Sequence, residues 1–105
     1  MDINIERIGV TLVVKPEGEI DHHYAAKLKD KIDREIYENK VNNLILDFDN
    51  VTFMDSSGIG VIVGRYKIIS SLGGKVMIVR ANKQINKILE ISGLKNLLSE
   101  TNGGK

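Results

Sequence analysis

The 105 residues contain no cysteine. That removes disulfides, thiolate catalysis and cysteine-based metal sites. Histidine is confined to His22 and His23. Adjacent residues on a helix do not face one another, so this pair is a poor metal site and reads as solvated first-turn residues. An excess of either charge is missing too: 15 basic residues stand against 14 acidic ones, a formal net charge of +1. So small a field steers neither DNA nor an anionic membrane, and no basic cluster stands out. Neither nucleic acid nor membrane is therefore expected as a partner. Long apolar runs are absent. The longest uncharged stretch, residues 56–64, is far below the roughly 20 residues of a membrane helix. The start, MDINIERIGV, lacks the charged-then-apolar layout of a signal peptide. A cytoplasmic location is the resulting expectation.

What is present is ordinary for a folded domain. Hydrophobic residues make up 42% and charged residues 28%, a balance that argues against disordered and fibrous classes. The length suits one domain. It is expected to span residues 1–105, with a core over 3–98 and a frayed tail at 99–105.

Residues 4–15 read as strand, with β-branched Val10, Thr11, Val13 and Val14, and Ile8-Gly9 reads as a hairpin turn between two strands. Pro16-Glu17-Gly18 is a break, after which Glu19-Ile20 briefly resumes the strand. Asp21 suits a helix N-cap, and Ala25, Leu28, Ile32 and Ile36 repeat at helical steps as far as about Asn39. Residues 41–49 form the next strand, with Leu44, Leu46 and Phe48 on one face and Ile45 and Asp47 on the other. Residues 57–72 fit a helix through Ile59, Ile62, Val63, Tyr66 and Ile69. Alternation at Ile59, Val61 and Val63 would also fit a strand, but no turn signal appears before Gly73, which favours helix by length. Val76 to Val79 is apolar throughout, as in a strand covered on both faces. Asn82 opens a third helix carrying Ile85, Ile88, Leu89 and Ser92 on one side, and Gly93 stops it. Leu94, Leu97 and Leu98 continue apolar. The order is ββαβαβα, an α/β class with a mixed, mostly parallel sheet and helices packed against it.

Residues 53–67, FMDSSGIGVIVGRYK, raise a specific question. An interior helical glycine costs about 1 kcal/mol relative to alanine. Gly58, Gly60 and Gly64 together cost roughly 2–3 kcal/mol, a sizeable part of a small domain's net stability. Two offsets are open: close packing of the helix on its neighbours, or a bare backbone that another molecule approaches. The serines are equally open. One of them suffices as an N-cap. If Ser57 caps the helix, Ser56 lies just outside it and is free to react. Both fall where a strand hands over to a helix, at the sheet edge where open α/β folds place ligands. A phosphate is electrostatically favoured at such a helix start. A serine nucleophile for acyl transfer fits poorly, because no glycine lies two residues before either serine. Gly73-Gly74-Lys75 has neither the spacing nor the following helix of a P-loop. Asp47 and Asp49 precede no metal constellation. A receiver-type aspartyl acceptor lacks the required cluster of acids.

GEIDHH at residues 18–23, FMDSSGIGVIVGRYK at 53–67 and ISGL at 91–94 resemble the anti-sigma factor antagonists of the STAS fold. Within that family they resemble the sporulation branch, which acts on the anti-sigma-F factor. The resemblance covers about residues 3–98. It implies a binding protein rather than an enzyme, with no cofactor of its own. The unmodified antagonist would bind a partner that is both anti-sigma factor and serine kinase, releasing the sigma factor. The kinase, with ATP and magnesium, would phosphorylate Ser56, and a serine phosphatase of the two-C type would reverse this. Nucleotide and metal belong to those partners. The resemblance places Asp21, Ser56, Ser57, Gly58, Gly60 and Arg65 on the partner surface. Gly58 and Gly60 would admit the kinase backbone, and Arg65 would pair with an acidic group on the kinase. By that resemblance, relatives usually carry a further strand or helix after the third helix. Two alternatives remain: an antagonist of another anti-sigma kinase, such as a stress-response one, and a nucleotide-binding STAS module.

Overall fold

The computed structural model describes residues 3–98, so the tail at 99–105 lies outside the described residues. Strands β1 (Ile3–Ile8) and β2 (Thr11–Pro16) form an antiparallel hairpin that turns at Gly9, where φ is +62°. β2 pairs in parallel with β4 (Asn43–Asp47), and β4 in parallel with β6 (Val76–Val79), giving the order β1-β2-β4-β6. Helices α1 (His22–Asn39), α2 (Ser56–Ser71), α3 (Lys83–Ile91) and α4 (Leu94–Leu98) complete the chain together with two short strands, β3 (Gly18–Ile20) and β5 (Val51–Met54). The fold is α/β with a mixed, mostly parallel sheet, as the strand–helix alternation implies.

The core lies between one face of the sheet and the helices. Leu12, Val14, Leu44, Leu46, Val76 and Ile78 point into it, meeting Leu28, Ile32, Ile62, Ile69, Ile85 and Leu89. The period of two along each strand puts every second residue on the other face, where Val13, Ile45 and Met77 are only half-buried. The expectation that β6 is covered on both faces is therefore corrected. Val41 is buried in the core but precedes β4, which starts at Asn43.

The second correction concerns β5, which the sequence pattern did not separate from its surroundings. β2 and β4 are neighbours, and both break at the same level. Pro16 ends one, and the turn after Asp47 ends the other. Gly18 then takes φ +81°, open to glycine but costly for other residues. Its N–H donates to Asn50 O at 2.9 Å. Beyond the break β3 and β5 pair with each other in parallel as a separate two-stranded sheet, with Ile20 opposite Met54.

An ion pair closes the carboxyl end of the main sheet. Asp47 is buried at the end of β4 and accepts hydrogen bonds from Arg80 Nε (3.2 Å), from a terminal Arg80 nitrogen and from the Asp49 N–H (3.1 Å). Lys15 Nζ stands 4.0 Å away. Burial pushes the Asp47 carboxyl up, but the Arg80 and Asp49 hydrogen bonds and the charges of Arg80 and Lys15 outweigh it and hold it below the ordinary carboxylate value. A depressed carboxylate stabilises the fold above its unfolded value, and that contribution fades as pH drops through the folded one. Urea titrations in steps below pH 4 should show the wild type losing stability more steeply than Asp47→Asn. Parallel curves for the two proteins would exclude this role.

Candidate functional site

β3 and β5 run parallel and, past a register shift between Gly18 and Glu19, pair Ile20 with Met54, so they end side by side. The Asp55 N–H donates to Ile20 O at 3.3 Å. Each strand runs straight into an aspartate and then a helix. Asp21 caps α1, its Oδ1 accepting from the Tyr24 N–H at 2.9 Å. Asp55 caps α2, its Oδ1 accepting from the Ser57 N–H at 2.8 Å. Two helix N-termini, each with unpaired N–H groups and partial positive charge, thus meet at one edge.

The cap of α2 is Asp55, not Ser57. Ser56 and Ser57 are the first two helical residues. Ser56 is exposed, while Ser57 is half-buried beside α1. The hydroxyl of Ser56 is therefore open to solvent for a different reason from the one the sequence suggests: the capping duty has moved to the preceding acid.

The glycines of α2 divide between the two explanations. A Cβ on Gly58 would lie 2.3 Å from Met54 Cγ and 3.3 Å from Ile20 Cγ2. Both side chains are wholly buried. Close packing accounts for Gly58, which faces the interior and offers no approach to a partner backbone. A Cβ on Gly60 or Gly64 would meet nothing within 4 Å. These two instead line a groove of about 440 Å³ between α1 and α2, with Ala25, Ala26 and Lys29 opposite. No internal packing explains them.

Opposite effects are expected from two alanine substitutions. Gly58→Ala forces a methyl into Met54 and should destabilise by about 1–3 kcal/mol. Gly60→Ala should stabilise α2 by up to about 1 kcal/mol. Chemical denaturation of the two variants checks both signs, and a loss of stability in Gly60→Ala would contradict the open geometry.

Arg65 is not an exposed cation. It is buried on the inner side of α2, 5% exposed, and its Nε lies 3.0 Å from Asp33 Oδ1 on α1. The angles make this a charge contact rather than an aligned hydrogen bond. The acid that Arg65 meets is thus on its own chain. Lys29 Nζ reaches the other Asp33 oxygen at 3.3 Å. The three residues tie α1 to α2 below the shared edge.

Two further residues carry the site: Asn82, which the sequence marks only as a helix start, and Gln84, which gives no sequence signal. Gln84, near the start of α3, accepts from the Met54 N–H (3.3 Å) and donates to Met54 O (3.2 Å). Asn82 caps α3 and donates to Val51 O and Thr52 O, both at 3.2 Å. Their amides bind the outer edge of β5 as another strand would, fixing α3 against the segment that leads into Ser56.

No cluster of three or more His, Cys, Asp or Glu that could hold a metal occurs among the described residues. No described helix is long and apolar enough to cross a membrane.

The family model for the STAS domain matches residues 2–102, and the chain belongs to that family. It is 36% identical over 94 residues to the anti-sigma F factor antagonist of Paenibacillus polymyxa, covering 90% of this chain and 80% of the relative. Identity to the anti-sigma-B factor antagonist of Staphylococcus aureus is 28%, over 86% of this chain and 82% of the relative. Among solved structures it is similar to the anti-sigma factor antagonist SpoIIAA in its unphosphorylated form, with TM-score 0.74, 28% identity, and 85% and 82% of the two chains covered. It is also similar to the Bacillus cell fate determinant SpoIIAA in the phosphorylated form, with TM-score 0.76, 29% identity, and coverage of 90% and 86%. Within the STAS family the anti-sigma factor antagonists are accordingly the branch into which the chain falls.

Proposed function

We propose that this protein, acting as an anti-sigma factor antagonist, is switched by phosphorylation of Ser56. The unphosphorylated form docks an anti-sigma factor that is also a serine kinase, and the sigma factor is released. The kinase, holding ATP, transfers phosphate to the Ser56 hydroxyl and the complex parts. A serine phosphatase of the two-C type restores the hydroxyl. The observation that carries this reading is the exposed Ser56 in the first turn of α2, directly after a cap that does not need it. The protein itself performs no catalysis and acts in the cytoplasm.

The physical logic is one of charge. A phosphoryl group adds about −1.5 to −2 charges. In the free protein the α2 N-terminus and water stabilise it. Under a docked partner the water is gone, and an unpaired dianion is costly to bury. Exposed Asp21, at the adjoining helix start, and Gly60, one turn into α2, complete the docking edge. Ser57 and Arg65 position it from beneath.

The sporulation branch, with an anti-sigma-F kinase as partner, is the first reading, supported by identity to the Paenibacillus polymyxa relative. A stress-type partner is the second, supported by the Staphylococcus aureus relative that is named for sigma-B. Incubation with each kinase and ATP, followed by peptide mapping in the mass spectrometer, separates them. Phosphate is expected on Ser56 with one kinase only. A chain that stays unmodified, or is modified at Ser57 alone, would refute the proposal.

A further inference from the structure

A second groove runs beside Ser56, between α2 and α3. It is lined by Ser56, Ile59, Ile88, Ile91 and Ser92 and holds about 290 Å³. That is at or below the roughly 300–1,000 Å³ of a small-molecule site, so a side chain suits it better than a cofactor. Its wall is almost wholly carbon. The Ser92 hydroxyl is turned away, donating to Leu89 O at 3.0 Å and accepting from the Leu94 N–H. Ile91 is 76% exposed, more than any other large apolar side chain among the described residues. Ile88 is half-buried one turn earlier. The four amide contacts of Asn82 and Gln84 with β5 hold this wall in place, so the groove exists before anything binds.

We infer that this groove receives an apolar side chain, aliphatic or aromatic, that the anti-sigma kinase presents beside its catalytic cleft. The inference rests on Ser56 being the kinase's substrate. A kinase must bring its phosphoryl donor to within about 3–3.5 Å of the accepting oxygen. A protein interface of standard size then covers about 800 Å² on each partner. Ser56 is itself one wall of the groove, so any protein seated on its hydroxyl also covers Ile59, Ile88 and Ile91. Filling the groove desolvates the Ser56 oxygen from its apolar side. A phosphoryl group on that oxygen would stand at the mouth of the groove, and the same anchor that tightens the unmodified complex then excludes the modified one.

Titration calorimetry of the full chain against the kinase, with ADP bound, tests this. Ile91→Ser is expected to weaken docking by about tenfold or more, the range of an anchor contact. Ile88→Ser should act in the same direction. Tyr37→Ser, at an exposed apolar residue outside the groove, should leave affinity unchanged. Phosphorylation of Ile91→Ser should show a raised KM with kcat preserved. Matching amide spectra of wild type and Ile91→Ser exclude misfolding. Wild-type affinity in both isoleucine variants would overturn the groove and leave the switch standing. A wild type that neither docks nor is phosphorylated would overturn both. A dimer that Ile91→Ser converts to monomer would assign the groove to a second copy of this chain and overturn the kinase anchor.

Discussion

Ser56→Asp is expected to lower affinity for the anti-sigma kinase at least about a hundredfold, a change that needs only about 2.8 kcal/mol. The carboxylate would sit in the first helical turn, with the Ile59–Ile88–Ile91 groove on one side and exposed Asp21 near the other. Once a partner has excluded water, neither neighbour pairs with it. Burying such an ion is costly, and the cost falls on the complex alone. In the free protein the sign is opposite. An acid in the first turn of a helix is favoured by about 0.3–1 kcal/mol. Ser56→Asp should therefore melt no lower than wild type while binding far worse. Ser56→Ala should dock like wild type and remain docked when ATP is added, because no oxygen is present to accept the phosphate. Calorimetry with ADP, repeated after exchange to ATP, reads all three proteins. Undiminished docking of Ser56→Asp would remove the electrostatic basis of the switch.

Asp33→Ala is expected to cost about 3 kcal/mol of stability. Arg65 is 5% exposed and its guanidinium faces Asp33 at 3.0 Å. Removing one partner of a buried pair strands the other charge, at about 3–5 kcal/mol. The Asp33 side chain keeps 19% exposure, so water reaches the site and the lower end applies. Against a total of about 5–15 kcal/mol for such a domain the loss is large. Arg65→Met should cost less, since Lys29 remains beside the carboxylate. Replacing both with apolar residues should recover most of the deficit, because the desolvation cost disappears along with the attraction. Urea midpoints of the two single variants and the double variant test this. A loss below about 1 kcal/mol in Asp33→Ala would mean that the pair is solvated.

The junctions where this site is built were legible because they depend on local chemistry. Asp21 at a strand end, the spacing of Ala25, Leu28, Ile32 and Ile36, and the uninterrupted stretch up to Gly73 each specify an element from its own residues. DSSG was harder. It offers three cap-competent residues in succession, and only the extended backbone of Asp55, at φ −100° and ψ −171°, selects among them. β5 was hidden because four residues behind a short break look like the tail of one strand or the lead into the next helix. Its partner is Gly18–Ile20, more than thirty positions earlier, and pairing across that distance leaves no periodic mark. Arg65 shares the inner face of α2 with Val61, Ile62 and Ile69. That spacing was readable, but its counter-ion on α1 was not. The same holds for Gln84, whose value lies entirely in meeting Met54.

The division of labour at the start of α2 has a lasting effect on how the chain tolerates covalent change. Asp55 alone terminates the helix, so the scaffold does not depend on the oxygen beside it. Repeated esterification and hydrolysis there would cycle a message on and off without ever straining the architecture that carries it.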